Sequence, residues 1–132
     1  MKTSNFANNK LYGLNGISIS RHPDRRSGFA GPEFPPLMPS QQLLAWYKGT
    51  TQDAAAWEKY AEAYNAQLAC LSPQATWDRL HAIREDIFEP VLICYKSAKT
   101  LATQPCHRRL VADWFERELG VVVPEWVKEV AA

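Results

Sequence analysis

The chain has 132 residues, of which 46% are hydrophobic and 22% are charged. This size and balance are typical of one folded domain and exclude a wholly disordered chain. The net charge of +1 argues against a protein that coats DNA non-specifically, because such proteins carry a clear basic excess. No apolar run approaches the roughly 20 residues that span a bilayer, so no membrane partner is expected.

The N-terminus and the cysteines predict a cytoplasmic protein. The segment MKTSNFANNK has neither the apolar core nor the small-residue cleavage site of a signal peptide. Cys70, Cys94 and Cys106 form an odd and sparse set, which is not the pattern of a disulfide framework.

The first third of the chain predicts short strands and a long loop. TSNFA (3–7) is a candidate opening strand, and the alternating β-branched residues of GISIS (16–20) predict a second one. Five prolines and two glycines between 22 and 39 exclude regular structure there. A loop of this length in a compact domain is usually functional or disordered.

Three helices are predicted next. Ser40 is a good N-cap for QQLLAWYK (41–48), which Gly49 would end. Asp53 can cap AAAWEKYAEAYNAQLACL (54–71). Serine followed by proline at 72–73 begins the third helix, which fades near 89–90.

The last third predicts a strand–helix–strand unit with a right-handed crossover. VLICY (91–95) has the continuous apolar character of a buried parallel strand. A helix follows over 105–119, and VVVPEW (121–126) is a final short strand that Pro124 limits. We therefore predict one α/β domain over 1–132, a Rossmann-like three-layer fold with a small, mainly parallel sheet of three or four strands flanked by helices.

Polar residues follow two of these strands and point to an anion-binding pocket. Ligands of open α/β sheets bind beyond the carboxyl ends of the strands. The strand GISIS ends at Arg21, the buried strand ends at Tyr95 and Lys96, and the next helix begins near His107 and Arg108. The free N–H groups at a helix start attract a phosphate or carboxylate, and arginine strengthens this attraction.

The helical positions suggest different roles for neighbouring residues. At about 100° per residue, His107 projects inward at the edge of the core, Arg108 lies to one side and Arg109 falls on the solvated face. Two simpler interpretations remain open. His107 would only bond a backbone carbonyl, and Arg108 would only pair with an acidic side chain.

The cysteines allow several interpretations. Cys106 is either a reactive thiol near a helix start or a small buried apolar residue. A zinc site of Cys94, Cys106 and His107 lacks a fourth ligand and a recognised spacing. A catalytic pair of Cys106 and His107 is disfavoured, because adjacent helical residues diverge. We therefore predict no metal and no cofactor.

A carboxylate and several aromatic residues are also candidates. Glu33, in GPEF, is a candidate general base, and the alternative is a salt bridge with a nearby arginine. The tryptophans of the helices fit core packing. Tyr47, Tyr60 and Tyr64 share a helical spacing and are candidates to stack on a base.

Five segments occur in the order of a known family. NFAN (5–8), SISRHP (18–23), GPEF (31–34), ICYK (93–96) and CHRRLVADW (106–114) together resemble the small-protein branch of domain of unknown function 488. The resemblance implies a compact α/β domain of bacterial or phage type with the motif residues in one pocket. The residues at matching positions are Asn8, Arg21, Glu33, Tyr95, Cys106, His107 and Arg108.

The chain departs from the family pattern at three positions. Asn5 replaces a tyrosine, Lys96 replaces an acidic residue, and Pro105 replaces an aromatic residue before the cysteine. The change at Lys96 removes a carboxylate from the strand exit, so the chemistry of relatives does not carry over automatically.

Two functions are consistent with the sequence. The first is a pocket for a phosphate-bearing small molecule or a nucleic-acid end, with hydrolase or transferase activity. In it, Arg21 and Arg108 would hold the anion, and Asn8, Tyr95 and Lys96 would line the ligand site. The catalytic candidates are His107, Glu33 and Cys106. The alternative is a non-catalytic interaction module of phage or prophage type that binds a protein partner. A redox role of Cys106 is a third hypothesis.

Overall fold

Three short parallel strands form the centre of the domain. The computed structural model describes residues 1–95 and 106–126. Strands β1 (Lys2–Asn5), β2 (Gly16–Ser18) and β3 (Val91–Cys94) form a sheet in the order β1-β3-β2. Both outer strands begin opposite Val91 and run parallel to β3, so all three strands end at the same edge.

Two single bridges extend the sheet on its outer sides. Glu125 pairs with Thr3 beside β1, and Glu33 pairs with Ser18 beside β2. The strand predicted over 121–126 is thus one bridge and not a full strand. Pro124 has no N–H to donate, and its carbonyl accepts the N–H of Thr3 at 2.9 Å.

Five helices accompany the sheet in the described ranges, and their caps agree with the sequence. They are α1 (Asn9–Tyr12), α2 (Gln41–Lys48), α3 (Ala54–Ala69), α4 (Pro73–His81) and α5 (His107–Leu119). The side chains of Ser40, Asp53 and Ser72 accept backbone N–H groups at the starts of α2, α3 and α4, as predicted. Helix α4 ends earlier than expected, at His81, and Gly120 ends α5 in the left-handed region at φ 68°.

The proline-rich loop over 22–39 contains two 3-10 turns, Arg25–Ser27 and Pro35–Leu37. These short turns fit a segment whose prolines and glycines exclude longer helices and strands. The loop then passes beside β2 through the bridge at Glu33.

Apolar residues cover both faces of the sheet. Ile17, Ile19 and Leu92 belong to a core that also contains side chains of α3 and α5. On the other face, Val91 and Ile93 belong to a second cluster. Its other buried members are Phe6, Tyr12 and Phe29. The predicted α/β architecture with a buried parallel sheet is confirmed. No helix in the described part of the chain combines the length and apolarity that crossing a bilayer requires.

Candidate functional site

A cavity of about 230 Å³ opens at the edge where the strands end. Its walls come from the segments after β2 and β3, from α2 and α3, and from the start of α5. The lining residues are Ser20, Arg21, Pro39, Leu44, Tyr47, Lys48, Gln52, Trp57, Tyr60, Cys94, Tyr95, Cys106 and His107. The cavity therefore lies at the strand edge that the sequence predicted.

Aromatic rings form one wall of the cavity. The rings of Trp57 and Tyr60 stack at 5.0 Å with 19° between their planes, and Tyr47 meets Tyr60 edge-on at 4.9 Å. Burial raises the pKa of both Tyr47 and Tyr60, so their hydroxyls stay protonated near neutral pH. The helical position of Trp57 predicted core packing, but this residue is only partly buried and lines the cavity.

Basic groups lie on another side. The Arg21 Nε donates to the carbonyl of Pro39 at 2.6 Å. Within 1–95 and 106–126, no carboxylate pairs with Arg21 or with the exposed Lys48. Lys48 was not predicted as a site residue, because an exposed lysine at a helix end carries no distinguishing signal.

Tyr95 also lines the cavity, as predicted, and its side chain is 53% exposed. Its hydroxyl donates to the carbonyl of His22, and its ring meets Phe6 edge-on at 5.0 Å. The predicted ligand residue Lys96 lies outside the described residues.

His107 and Cys106 lie next to each other at the floor. The Nε2 of His107 is 2.8 Å from the carbonyl oxygen of Ile19. Because a carbonyl only accepts, Nε2 carries the proton, and the lone pair is on Nδ1, 3.7 Å from the Cys106 Sγ. Burial, with a smaller contribution from Arg108, lowers the pKa of His107 to about 4, although the bond to Ile19 opposes this. The ring is therefore neutral near pH 7.

The expected divergence of Cys106 and His107 is wrong. Cys106 is the N-cap of α5 and has extended backbone angles, φ −127° and ψ 149°. The rotation of about 100° between adjacent helical residues therefore does not apply to Cys106 and His107. The Cys106 side chain instead points toward the His107 ring.

A second cysteine adjoins this pair. The sulfur atoms of Cys94 and Cys106 are in bonding contact, whereas Cys70 is free and exposed. The two Cα atoms are 7.6 Å apart, wider than the roughly 4.4–6.8 Å usual for a disulfide. The sparse cysteine count gave no indication that these two sulfurs meet.

Arg108 lies behind the floor and does not line the cavity. Its side chain is fully buried and binds both carboxylate oxygens of Glu125, at 2.9 and 2.8 Å. A third nitrogen, Nη1, donates to the Cys94 Sγ at 2.9 Å. The simpler interpretation, pairing with an acidic side chain, therefore describes Arg108. The expectation that it holds a ligand's anion has no support in this geometry.

Three further expectations need correction. Arg109 is partly buried and donates to Thr3 and to the Val123 carbonyl, so it is not simply solvated. Glu33 lies outside the cavity lining and pairs with Arg25 at 3.5 Å, the alternative that the sequence left open, so its role as a general base stays a prediction.

Asn8 also lies outside the cavity lining, and its side-chain amide donates to the Ser4 hydroxyl at 3.3 Å. Glu125 was not predicted at all, because one acidic residue in a C-terminal segment gives no sign of a buried partner.

The fold and the site together define a small α/β domain with an aromatic and basic pocket over a cysteine–histidine floor. A family model described as "Active DUF488-N3 subclade", named DUF488-N3a, matches residues 16–119. The chain belongs to this family of domains of unknown function, as the motif order suggested. No curated protein and no solved structure matches it.

Proposed function

We propose that the cavity binds a phosphate-bearing ligand, either a nucleotide or the end of a nucleic-acid strand. One observation carries the proposal: the same cavity combines a stacked aromatic wall with basic side chains that lack carboxylate partners within the described residues. A base can stack against Trp57 or Tyr60, and a phosphate can bind the guanidinium of Arg21. Lys48 takes the second basic position that Arg108 was expected to fill.

The size of the cavity limits which ligands can bind. At about 230 Å³ it is below the roughly 300–1,000 Å³ of typical drug-sized sites. It therefore suits a single nucleotide unit, with its phosphate toward solvent, better than a long strand. The net charge of +1 agrees, since binding along a strand requires a more extensive basic surface.

The floor supports a hydrolase or transferase reaction. A neutral His107 with its lone pair on Nδ1 can accept a proton, and that nitrogen faces the Cys106 sulfur. The subclade description contains the word "Active", which agrees with an enzymatic role. In this proposal His107 and Cys106 are the catalytic residues, and Glu33 has no part.

Thermal unfolding with a panel of ligands tests the binding. The panel contains inorganic phosphate, nucleosides, mononucleotides and short oligonucleotides. A ligand at 100 times its dissociation constant stabilises the fold by about 2.7 kcal/mol, which raises the unfolding temperature by several degrees. We expect a mononucleotide to raise it more than its nucleoside does.

Matched variants locate the binding. Arg21→Ala and Lys48→Ala should each weaken the shift. Arg26→Ala should keep it, because Arg26 is an exposed arginine of the same loop and does not line the cavity. Equal shifts in all three variants, or no shift with any compound, would contradict the proposal.

A second candidate function is binding of a protein partner, and exposed apolar side chains favour it. Leu14 is 63% exposed and Phe88 is 86% exposed. The N–H of Phe88 donates at 3.0 Å to the side chain of Asn15, the residue that follows Leu14. Both precede strands, so they lie at the edge opposite the cavity. A partner bound here would be lost in Phe88→Ser and retained in Arg21→Ala, as measured by co-purification of the tagged variants.

A further inference from the structure

We propose that Cys94, Cys106 and His107 bind a divalent metal ion of the zinc type, with the fourth coordination position facing the cavity. The potential ligand atoms of these residues all lie within 4.8 Å of one another, and all three residues are buried. Metal binding needs no second ligand, so it can be tested apart from nucleotide binding. With an ion bound, Cys106 and the His107 Nδ1 are its ligands and do not carry out the proton transfer proposed above.

The donor set fits zinc. Two thiolates and one imidazole are the sulfur and nitrogen ligands that zinc prefers, and a site with three protein ligands leaves a fourth position for water or substrate. Two thiolates also balance the charge of a divalent ion. The nearby Arg108 charge is already balanced by Glu125, so the buried assembly carries no excess charge.

A supporting shell already orients the ligands. Metal-binding histidines usually donate their other ring N–H to an oxygen, and His107 does so through Nε2 to the Ile19 carbonyl. This bond leaves Nδ1 as the ligand atom on the side of the sulfurs. Arg108 Nη1 donates to the Cys94 sulfur, and Glu125 fixes that guanidinium with two bonds.

The two sulfurs are in bonding contact, so the ion binds the reduced pair of thiolates, and the spacing of the main chain is wide enough for that form. Cα atoms 7.6 Å apart exceed the roughly 4.4–6.8 Å usual for a disulfide. A tetrahedral ion with metal–sulfur bonds of about 2.3 Å keeps two sulfur atoms a little under about 4 Å apart, which suits the wider span.

The direction of the open position follows from the lining. Cys94, Cys106 and His107 all line the cavity that also holds Trp57 and Arg21. An ion held by the three side chains therefore has its remaining position toward the cavity. A water molecule there would be polarised by the ion and would face a bound ligand.

Metal analysis of the whole protein tests the site. The protein is purified under reducing conditions, and its zinc content is measured by mass spectrometry. A sample exchanged with Co²⁺ is examined by absorption spectroscopy. We expect one ion per chain, thiolate-to-cobalt charge-transfer bands and the visible bands of a tetrahedral site. Chelation should lower the unfolding temperature.

Cysteine variants provide the specific test. Cys94→Ser and Cys106→Ser should lose the charge-transfer bands or weaken them sharply, whereas Cys70→Ser should keep them because Cys70 is exposed and apart from the cluster. His107→Gln should shift the visible bands and weaken affinity. If a variant fails to fold, the Co²⁺ spectrum of the wild-type protein still shows whether thiolates bind the ion. The proposal is overturned if the reduced wild-type protein binds no ion, or if the bands keep their full intensity in Cys106→Ser.

Discussion

Arg108 is the largest fully buried side chain of the described residues, and it lies in the first turn of α5. Glu125 meets that charge with two hydrogen bonds, and its own side chain is only 16% exposed. The pair joins the start of α5 to the segment that bridges β1. It therefore fixes the position of the residues at the floor of the cavity.

Removing one partner of this pair should destabilise the protein. In Arg108→Met the Glu125 carboxylate loses its charged partner and keeps the hydrogen bond from the Thr3 hydroxyl. Breaking a buried ion pair in this way costs about 3–5 kcal/mol. Urea unfolding would measure the loss. The double variant Arg108→Met with Glu125→Leu should recover most of the stability, since no charge is left uncompensated. A single variant as stable as the wild type would contradict the structural role of the pair.

A buried hydroxyl gives a second prediction. The Tyr64 hydroxyl donates to the Leu37 carbonyl at 2.6 Å and holds the end of the proline-rich loop against α3. Tyr64→Phe leaves that carbonyl unsatisfied, at a cost of about 1–3 kcal/mol. The control is Tyr95→Phe, whose side chain is 53% exposed and should change stability little. Chemical unfolding of both variants makes the comparison, and equal losses would argue against the Tyr64 bond.

The residues of the site show where sequence reasoning stops. The inward direction of His107 follows from its place in α5, and its position at the strand edge was predicted. The partner of Arg108 was not predictable, because Glu125 approaches only through the return of the chain after Gly120. Cys106 turned toward His107 because a cap residue does not follow helical angles.

At the scale of elements, a close backbone approach fixes the edge of the sheet. A Cβ atom at Gly31 would lie 2.3 Å from the carbonyl oxygen of Gly16 and 2.7 Å from the ring of Phe29. The chain beside Gly31 makes two bonds to Ser18 on β2, at 2.9 and 2.8 Å. A side chain here pushes this segment away from the strand.

Gly31→Ala should therefore lower the unfolding temperature by many degrees. A matched control is Gly49→Ala, because a Cβ there would lie 3.5 Å from the Trp46 carbonyl oxygen, an ordinary contact distance, and the backbone is already helical. Calorimetry of both variants should show a large loss for the first and almost none for the second. A small change in the unfolding temperature of Gly31→Ala would mean that the segment beside β2 can move away without loss of stability.

Elements defined by local signals were predicted more reliably than those defined by distant contacts. A cap needs only the hydroxyl or carboxylate of one residue and the N–H groups just after it, so the starts of α2, α3 and α4 could be predicted. The segment 121–126 depends on β1 at the other end of the chain, and Pro124 reduces it to one bridge. The apolar sequence of this segment therefore predicted a longer strand than the structure contains.

At the scale of the whole molecule, the tyrosines predict the response to alkaline pH. Burial raises the pKa of Tyr12 to about 12 and that of Tyr64 well above its usual value. Tyrosines ionise near pH 10 in the unfolded chain but later in the folded one. The stability they contribute is therefore complete below about pH 10 and is lost as the pH rises further.

Absorbance titration and unfolding at several alkaline pH values would test this behaviour. Tyrosinate should form later in the native protein than in urea, and the free energy of unfolding should fall above about pH 10. Tyr64→Phe should make that fall less steep. Identical titration curves in the native and unfolded protein would contradict the burial of these hydroxyls.

The central place of β3 also sets the order in which the domain can be made. Lys2 and Gly16 both pair with Val91. Strands β1 and β2 therefore cannot pair until β3 has been synthesised, much later in translation. Until then the nascent chain carries two short segments whose backbone hydrogen-bonding groups have no strand partner, while its capped helices can already form. Such delayed, long-range pairing slows folding and exposes a chain to aggregation during translation. A chain truncated before β3 would therefore be helical and prone to aggregation, and it would need chaperones to stay in solution.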